Sequence, residues 1–144
     1  MLGAESVILA SESKETIDRD IAAIARISAV PSLLRVICDF TGMGLAAVAR
    51  VSDESWTVCA ALDTIGFGLM PGDQLDLHTT LCVESRAARA AISFDHASHD
   101  PVYRDHHTPR TYKIESYICA TTAVTSATCA PWTRRRRGFP TSAR

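Results

Sequence analysis

The sequence predicts an α+β fold in which a layer of helices packs on one antiparallel sheet. Three observations support this class: a helical period over residues 16–40, short apolar segments after Gly44, and a polar turn at residues 52–55 between two of those segments. The chain has 144 residues, which allows one compact domain. Apolar residues make up 47% and charged residues 22% of it, as in ordinary globular proteins.

The N-terminal part is expected to hold two helices after a flexible lead-in over residues 1–14. Ile17, Ile21 and Ile24 recur with the spacing of one helical face. Pro31 fits the first turn of a second helix, and Gly42 is a plausible residue at its C-terminal end. These helices would supply the layer that covers one side of the sheet.

The rest of the chain alternates strand and loop signals. Residues 45–51 and 56–62 are expected to form an antiparallel hairpin. Residues 76–78 are expected to be extended, and Thr79 or Thr80 to cap a helix that runs to about Arg89. The remaining elements are a strand at 91–94, a polar loop at 96–110 holding a short helix, and a strand that begins at 117.

Composition excludes several classes of protein. The formal net charge of −1 argues against a dedicated nucleic-acid binder, so we expect no nucleic-acid partner. No apolar run approaches the ~20 residues of a membrane span, and residues 1–10 lack the basic start of a signal peptide, so we expect a cytoplasmic protein. The five cysteines are scattered without a CxxC pair and are expected to be reduced and mostly buried.

Four stretches carry a family resemblance. They are FTGMGLAAVARV at 40–51, IGFGL at 65–69, TTLC at 79–82 followed by Glu84, and the segment 95–118 with its DPVY, HHTP and SYI motifs. In this order they resemble a GAF domain of the kind found in bacterial sensor histidine kinases. The resemblance covers residues 40–118 directly and places the whole domain at residues 15–118.

The resemblance implies an antiparallel sheet of about six strands with helices packed on it. It also implies a small-molecule pocket between the sheet and the loops, and homodimerisation through the N-terminal helices. The expected function is that of a small-molecule sensor in a signal-transduction protein. Its effector, such as a histidine kinase, would lie in the parent protein, so this chain is not expected to be an enzyme.

Polar and aromatic residues of the later loops are the candidates for ligand binding. Loops held by a rigid sheet commonly carry function, and Cys82 lies early in a helix, where a thiol is more acidic. The histidine spacings match no structural zinc pattern, so no metal site is expected. The predicted ligand-binding residues are Phe67, Cys82, Asp95, His96, Tyr103, His106, His107 and Tyr112.

The cofactor is not identified by the sequence. GAF domains that bind a bilin covalently use a cysteine in the region that holds Tyr103 to Tyr112, and here that region has none, so no covalent bilin is expected. The alternative function is a free methionine-(R)-sulfoxide reductase, which uses a cysteine nucleophile. No cysteine lies between Cys82 and Cys119, where that enzyme would need it.

The family pattern ends at Ile118, and residues 119–144 form a tail that does not resemble it. Read one frame away, codons for Ala120 to Thr133 can encode Asp-Asp-Gly-Arg-His-Phe-Gly-Asn-Leu-Cys-Ala-Leu-Asp, which resembles the missing ending. We therefore expect a frameshift near Cys119, with the last strands missing or altered. The Arg134–Arg137 run would be its by-product. A further alternative is that the chain is a non-functional truncated product of poor solubility.

Overall fold

The computed structural model describes residues 13–121, 128–130 and 132–133. Of the predicted lead-in over residues 1–14, residues 1–12 lie outside the described residues, as do the arginines at 134–137, whereas Lys14 already belongs to the first helix. The helices and strands are α1 (Lys14–Ala25), α2 (Ala29–Thr41), β1 (Leu45–Val51), β2 (Trp56–Asp63), β3 (Gln74–Leu75), α3 (Cys82–Ala88), β4 (Ile92–Phe94), α4 (His107–Tyr112), β5 (Ser116–Thr121), β6 (Thr128–Ala130) and β7 (Trp132–Thr133).

The two N-terminal helices begin and end close to the predicted positions. Ser13 caps α1, because its side chain accepts a hydrogen bond from the Thr16 backbone N–H. Pro31 lies in the first turn of α2, and Gly42 ends that helix with a left-handed φ of 71°. Within the described residues no single helix is long and apolar enough to cross a membrane. Only α1 and α2 taken together have the length and apolar composition of a membrane span, and the angle between these two helices is 75°.

The strands form one antiparallel sheet in the order β3-β2-β1-β6-β5-β4, and β7 also pairs with β5. The hairpin of β1 and β2 has an irregularity between Val48 and Ala49, where Cys59 is the extra residue of β2. The predicted α+β class with a helical layer on an antiparallel sheet is confirmed.

Backbone from beyond Ile118 takes part in the sheet. Strand β5 continues to Thr121, and β6 pairs with both β1 and β5 through residues 128–130. These residues occupy the centre of the sheet with a sequence that departs from the family pattern. The proposed frameshift therefore concerns the residues that fill this central strand.

Two faces of the sheet carry separate cores. The helix face is covered by α1 and α2, and its buried residues are Val30, Leu34, Cys38 and Ala46. The loop face is covered by α3 and the loops around it. Its fourteen buried residues include Trp56, Leu81, Cys82, Tyr117 and Cys119. The predicted ligand-binding residues belong to the elements of the loop face.

The segment before α3 differs from its prediction. Residues Leu77–Thr79 form a 3₁₀ helix rather than an extended segment, because the Asp76 side chain accepts from the His78 N–H and caps it. Thr79 and Thr80 do not cap α3. Their hydroxyls donate to the backbone oxygens of Asp76 and Leu77, and α3 begins at Cys82 without a side-chain cap.

Candidate functional site

The first feature of the candidate site is the attachment of α4 to the 3₁₀ helix Leu77–Thr79. His107 donates through Nε2 to the backbone oxygen of His78 at 2.7 Å. Thr108, which is fully buried, donates through Oγ1 to the Thr79 oxygen at 2.7 Å. The Tyr112 hydroxyl bonds the Thr79 hydroxyl. These three contacts hold one side of a six-residue helix that is too short to be stable alone.

His106 connects this helix to α3. Its Nδ1 accepts a hydrogen bond from the Thr108 N–H at 3.1 Å, so it caps α4. Its Nε2 lies 2.6 Å from Glu84 Oε1. Because Nδ1 accepts, it carries no proton, and Nε2 must carry the proton that is donated to Glu84. The cap thus sets the roles of the two ring nitrogens, with Nδ1 facing the Thr108 N–H and Nε2 facing Glu84.

Aromatic rings surround these contacts. Phe67 packs against Tyr112 with a centroid separation of 5.9 Å, and Tyr103 stacks on Phe94 at 4.4 Å. The rings of His106 and His107 stack at 4.4 Å. Aromatic pairs of this kind add binding and packing energy beyond their buried area. They give the site flat, apolar elements beside its hydrogen-bonding groups.

Tyr103 is positioned by the loop before α4. The Asp100 carboxylate accepts from the backbone N–H groups of Val102 and Tyr103, at 2.8 and 3.1 Å. Burial raises the pKa of the Tyr103 hydroxyl, and the negative charges of Glu84 and Asp100 raise it further. The hydroxyl therefore stays protonated at neutral pH and can donate a hydrogen bond.

Cys82 is fully buried in the loop-face core. The Trp56 indole donates to its Sγ at 3.2 Å, and the Cys119 thiol donates to it at 3.4 Å. The hydrogen bond from Cys119 lowers the pKa of Cys82. Burial opposes that effect, and the bond from Trp56 adds to it. The pKa of Cys82 is thus lowered by nearby hydrogen-bond donors, whereas the sequence analysis attributed a more acidic thiol to its position early in a helix.

Asp95 and His96 occupy a different part of the loop face, just after β4. Both are exposed. Ser116 donates through its hydroxyl to the Asp95 backbone oxygen, and the His96 ring lies edge-on to His99 at 6.3 Å. Their contacts serve the turn after β4, so they are not part of the surface around α4.

The predicted residues therefore divide into three groups. Five of them converge around α4, and we call these the α4 surface: Phe67, Tyr103, His106, His107 and Tyr112. Glu84, Thr79 and Thr108 also shape this surface but were not predicted as site residues. The sequence did not predict Glu84 as a site residue, because its partner His106 is 22 residues away in the chain.

A cleft of about 520 Å³ lies elsewhere, between α1 and the loop before β3. None of the predicted ligand-binding residues lines it. Its lining residues are Lys14, Ile17, Asp18, Ile21, Gly72, Asp73 and Gln74. Across the part of the chain that the structure describes, no three His, Cys, Asp or Glu side chains are grouped as metal ligands.

Comparison with known proteins gives structural but not sequence matches. No family model and no curated protein matches the sequence. A fragment of a methyl-accepting chemotaxis protein superposes with a TM-score of 0.51 at 18% identity, covering 87% of this chain and 83% of that chain. The GAF domain region of a Geobacter sulfurreducens protein gives a TM-score of 0.51 at 11% identity, covering 83% and 79%.

A third solved structure is the GAF domain of a two-component sensor histidine kinase from Bacillus halodurans, with 10% identity and a TM-score of 0.47 over 90% of this chain and 81% of that chain. Sequence identities this low support a shared fold only, so the function must be argued from the residues of the site. The order of elements, the single antiparallel sheet and the superposition on the Geobacter domain together show that the chain has a GAF-like fold.

Proposed function

We propose that this chain is the small-molecule-sensing domain of a signal-transduction protein, and that its ligand binds at the α4 surface. The observation that carries the proposal is the convergence of five predicted ligand-binding residues around α4. The effector would belong to the parent protein. The methyl-accepting chemotaxis protein among the structural neighbours agrees with such a parent.

The chemistry of the α4 surface favours a flat, partly apolar ligand with polar edges. Phe67 and Tyr112 present rings that are only partly buried, and the His107 residue is exposed. A planar molecule could stack on these rings, as aromatic groups prefer. Ligand binding would change the position of α3 through the hydrogen bond between His106 and Glu84. It would change the position of the 3₁₀ helix through the hydrogen bond of His107.

Calorimetric titration with haemin, cyclic GMP and cyclic AMP as planar probes tests this proposal. We expect one probe to bind and His107→Ala to weaken its affinity by about tenfold or more, which corresponds to ~1.4 kcal/mol. Arg110→Ala is the matched control, because Arg110 is an exposed residue of the same helix. If His107→Ala binds the probe as tightly as the unmodified chain does, the ligand does not bind at the α4 surface.

The reductase alternative makes a different demand on the cysteines. Its nucleophile must reach the sulfoxide sulfur of a substrate, but Cys82 and Cys119 are both fully buried. A reduction assay with free methionine sulfoxide and a thiol reductant separates the two proposals. Turnover that disappears in Cys82→Ala would favour the enzyme over the sensor.

Dimerisation through the N-terminal helices is the second part of the proposal. Leu33, Val36 and Phe40 lie on α2 at helical spacing and are exposed, Phe40 by 91%. An apolar stripe of this kind on a helix that already covers the sheet is typical of an interaction surface. We propose that a second copy of the chain covers it.

A further inference from the structure

Two thiols meet in the core of the loop face. Cys82 is the first residue of α3, Cys119 lies in β5, and their Sγ atoms are 3.4 Å apart. Both side chains are fully buried. We propose that Cys82 and Cys119 are a redox pair, which hydrogen peroxide oxidises to an intramolecular disulfide. Hydrogen peroxide is close to water in size, so a local opening of the loop face can admit it where a methionine sulfoxide substrate cannot enter. This inference is independent of ligand binding at the α4 surface.

The geometry requires only a small movement. A disulfide bond is about 2.05 Å long, so the two sulfurs must approach by roughly 1.4 Å. The two sulfurs already lie within hydrogen-bond distance of each other, with Cys119 as the donor. Rotation about the Cα–Cβ bond of each cysteine is the motion that closes such a gap. One residue is on a helix and the other on a strand, so the bond would fasten α3 to β5.

The surroundings of Cys82 stabilise its thiolate. The Trp56 indole N–H and the Cys119 S–H both donate to the Cys82 sulfur, and the Tyr117 hydroxyl lies 3.8 Å from it. These donors lower the pKa of Cys82, whereas the same hydrogen bond raises the pKa of Cys119. Cys82 is therefore the nucleophile of the pair and Cys119 the resolving thiol.

The other described cysteines provide an internal contrast. Cys38 and Cys59 are also buried, but burial is the main influence on each and raises its pKa. The Cys59 thiol donates to a backbone oxygen, that of Thr57, rather than to a second sulfur. These thiols are buried to a similar extent but have different neighbours, which predicts different reactivity because the thiolate is the reacting form.

The reaction balances with a hydroperoxide as the oxidant. The Cys82 thiolate attacks one peroxide oxygen, an S–O bond forms, the O–O bond breaks, and the leaving hydroxide takes up the proton that Cys82 lost. The Cys119 sulfur then attacks the Cys82 sulfur. The S–S bond forms, the S–O bond breaks, and the departing hydroxide takes the Cys119 proton. Two thiols lose two electrons in total, and hydrogen peroxide is reduced to two waters.

Hydrogen peroxide applied to the purified full chain tests the pair. We expect a mass loss of about 2 Da and a non-reducing peptide map that joins Cys82 to Cys119, about tenfold faster than any change at Cys38 or Cys59. The same treatment in denaturing urea should lose this selectivity. A native map dominated by links to Cys129, a map as mixed as the denatured one, or no thiol loss would each overturn the proposal.

Single variants then test the order of the two steps. In Cys119→Ser, which keeps a hydroxyl donor beside Cys82, the Cys82 sulfenic acid cannot be resolved, so dimedone should label Cys82 in this variant and much less in the unmodified chain. Cys59→Ala is the matched control, and we expect its Cys82–Cys119 link to form at the original rate. Dimedone labelling of Cys119 in Cys82→Ala, at the rate expected for Cys82, would show that the roles assigned here are wrong.

Discussion

The two faces of the sheet are built in different ways. The loop face has the larger buried cluster, and hydrogen-bonding groups such as Trp56, Cys82 and Tyr117 lie within it. The helix face has a buried apolar cluster of four residues, and its covering helix α2 leaves Leu33, Val36 and Phe40 exposed. The contrast indicates that the loop face contributes more to stability and the helix face has room for a partner.

The largest expected effect is on the loop-face core. Trp56→Ala removes a fully buried indole and its hydrogen bond to Cys82, so it should lower the free energy of unfolding by about 3–5 kcal/mol. Leu34→Ala on the helix face should cost about 2 kcal/mol, because the partly buried residues around it can close the space. Urea unfolding of both variants measures the difference, and a larger loss for Leu34→Ala would reverse the comparison.

The next effect concerns the ion pair of the helix face. Arg50 on β1 is 5% exposed and its Nε lies 2.6 Å from Asp20 Oδ2 on α1. Asp20→Asn should cost about 2 kcal/mol, less than a fully buried pair, because Asp20 is partly solvated. Asp18→Asn is the control on the same helix, since its pair with Lys14 is exposed and should change stability by under about 0.5 kcal/mol. Equal losses in urea unfolding would contradict this.

A smaller, pH-dependent effect belongs to the loop after β2. Burial raises the pKa of Asp63, but backbone N–H groups, those of Gly68 and Ile65 among them, outweigh it and lower that pKa. A lowered pKa in the folded state stabilises the fold above the unfolded value near 4, and this contribution is lost as the pH falls through the folded value. Asp63→Asn should therefore cost about 0.5–1 kcal/mol at pH 7, after allowance for solvent screening.

Unfolding curves measured at pH 7 and in steps down to about pH 3 check the sign. The difference between the unmodified chain and Asp63→Asn should shrink below about pH 4, where the carboxylate takes up a proton. Asp73→Asn is a useful comparison, because its carboxylate also accepts a backbone N–H, that of Met70 at 2.8 Å. A difference that grows at low pH would exclude the stated role of Asp63.

These sites differ in how far the sequence predicted them. Periodicity predicted the extent of α2 and β1 closely, because an apolar face must repeat with the period of its element. It missed the 3₁₀ helix at Leu77–Thr79, whose start depends on one capping contact from Asp76. The contacts of Glu84 with His106 and of Cys82 with Cys119 join residues far apart in the chain, and no local pattern encodes such pairs.

The smallest effect on the free energy of unfolding should come from a substitution in the exposed stripe of α2. The same substitution also tests the proposed dimer. Phe40→Glu should change the free energy of unfolding of a monomer by less than about 0.5 kcal/mol, because Phe40 is 91% exposed. In sedimentation velocity the same variant should shift the chain from dimer to monomer, since a charge would be buried in the apolar contact. Arg35→Glu places the same side chain at an exposed position of α2 away from the stripe and should leave the dimer intact. If both variants are dimers, the contact between copies lies elsewhere and the helix face needs another partner.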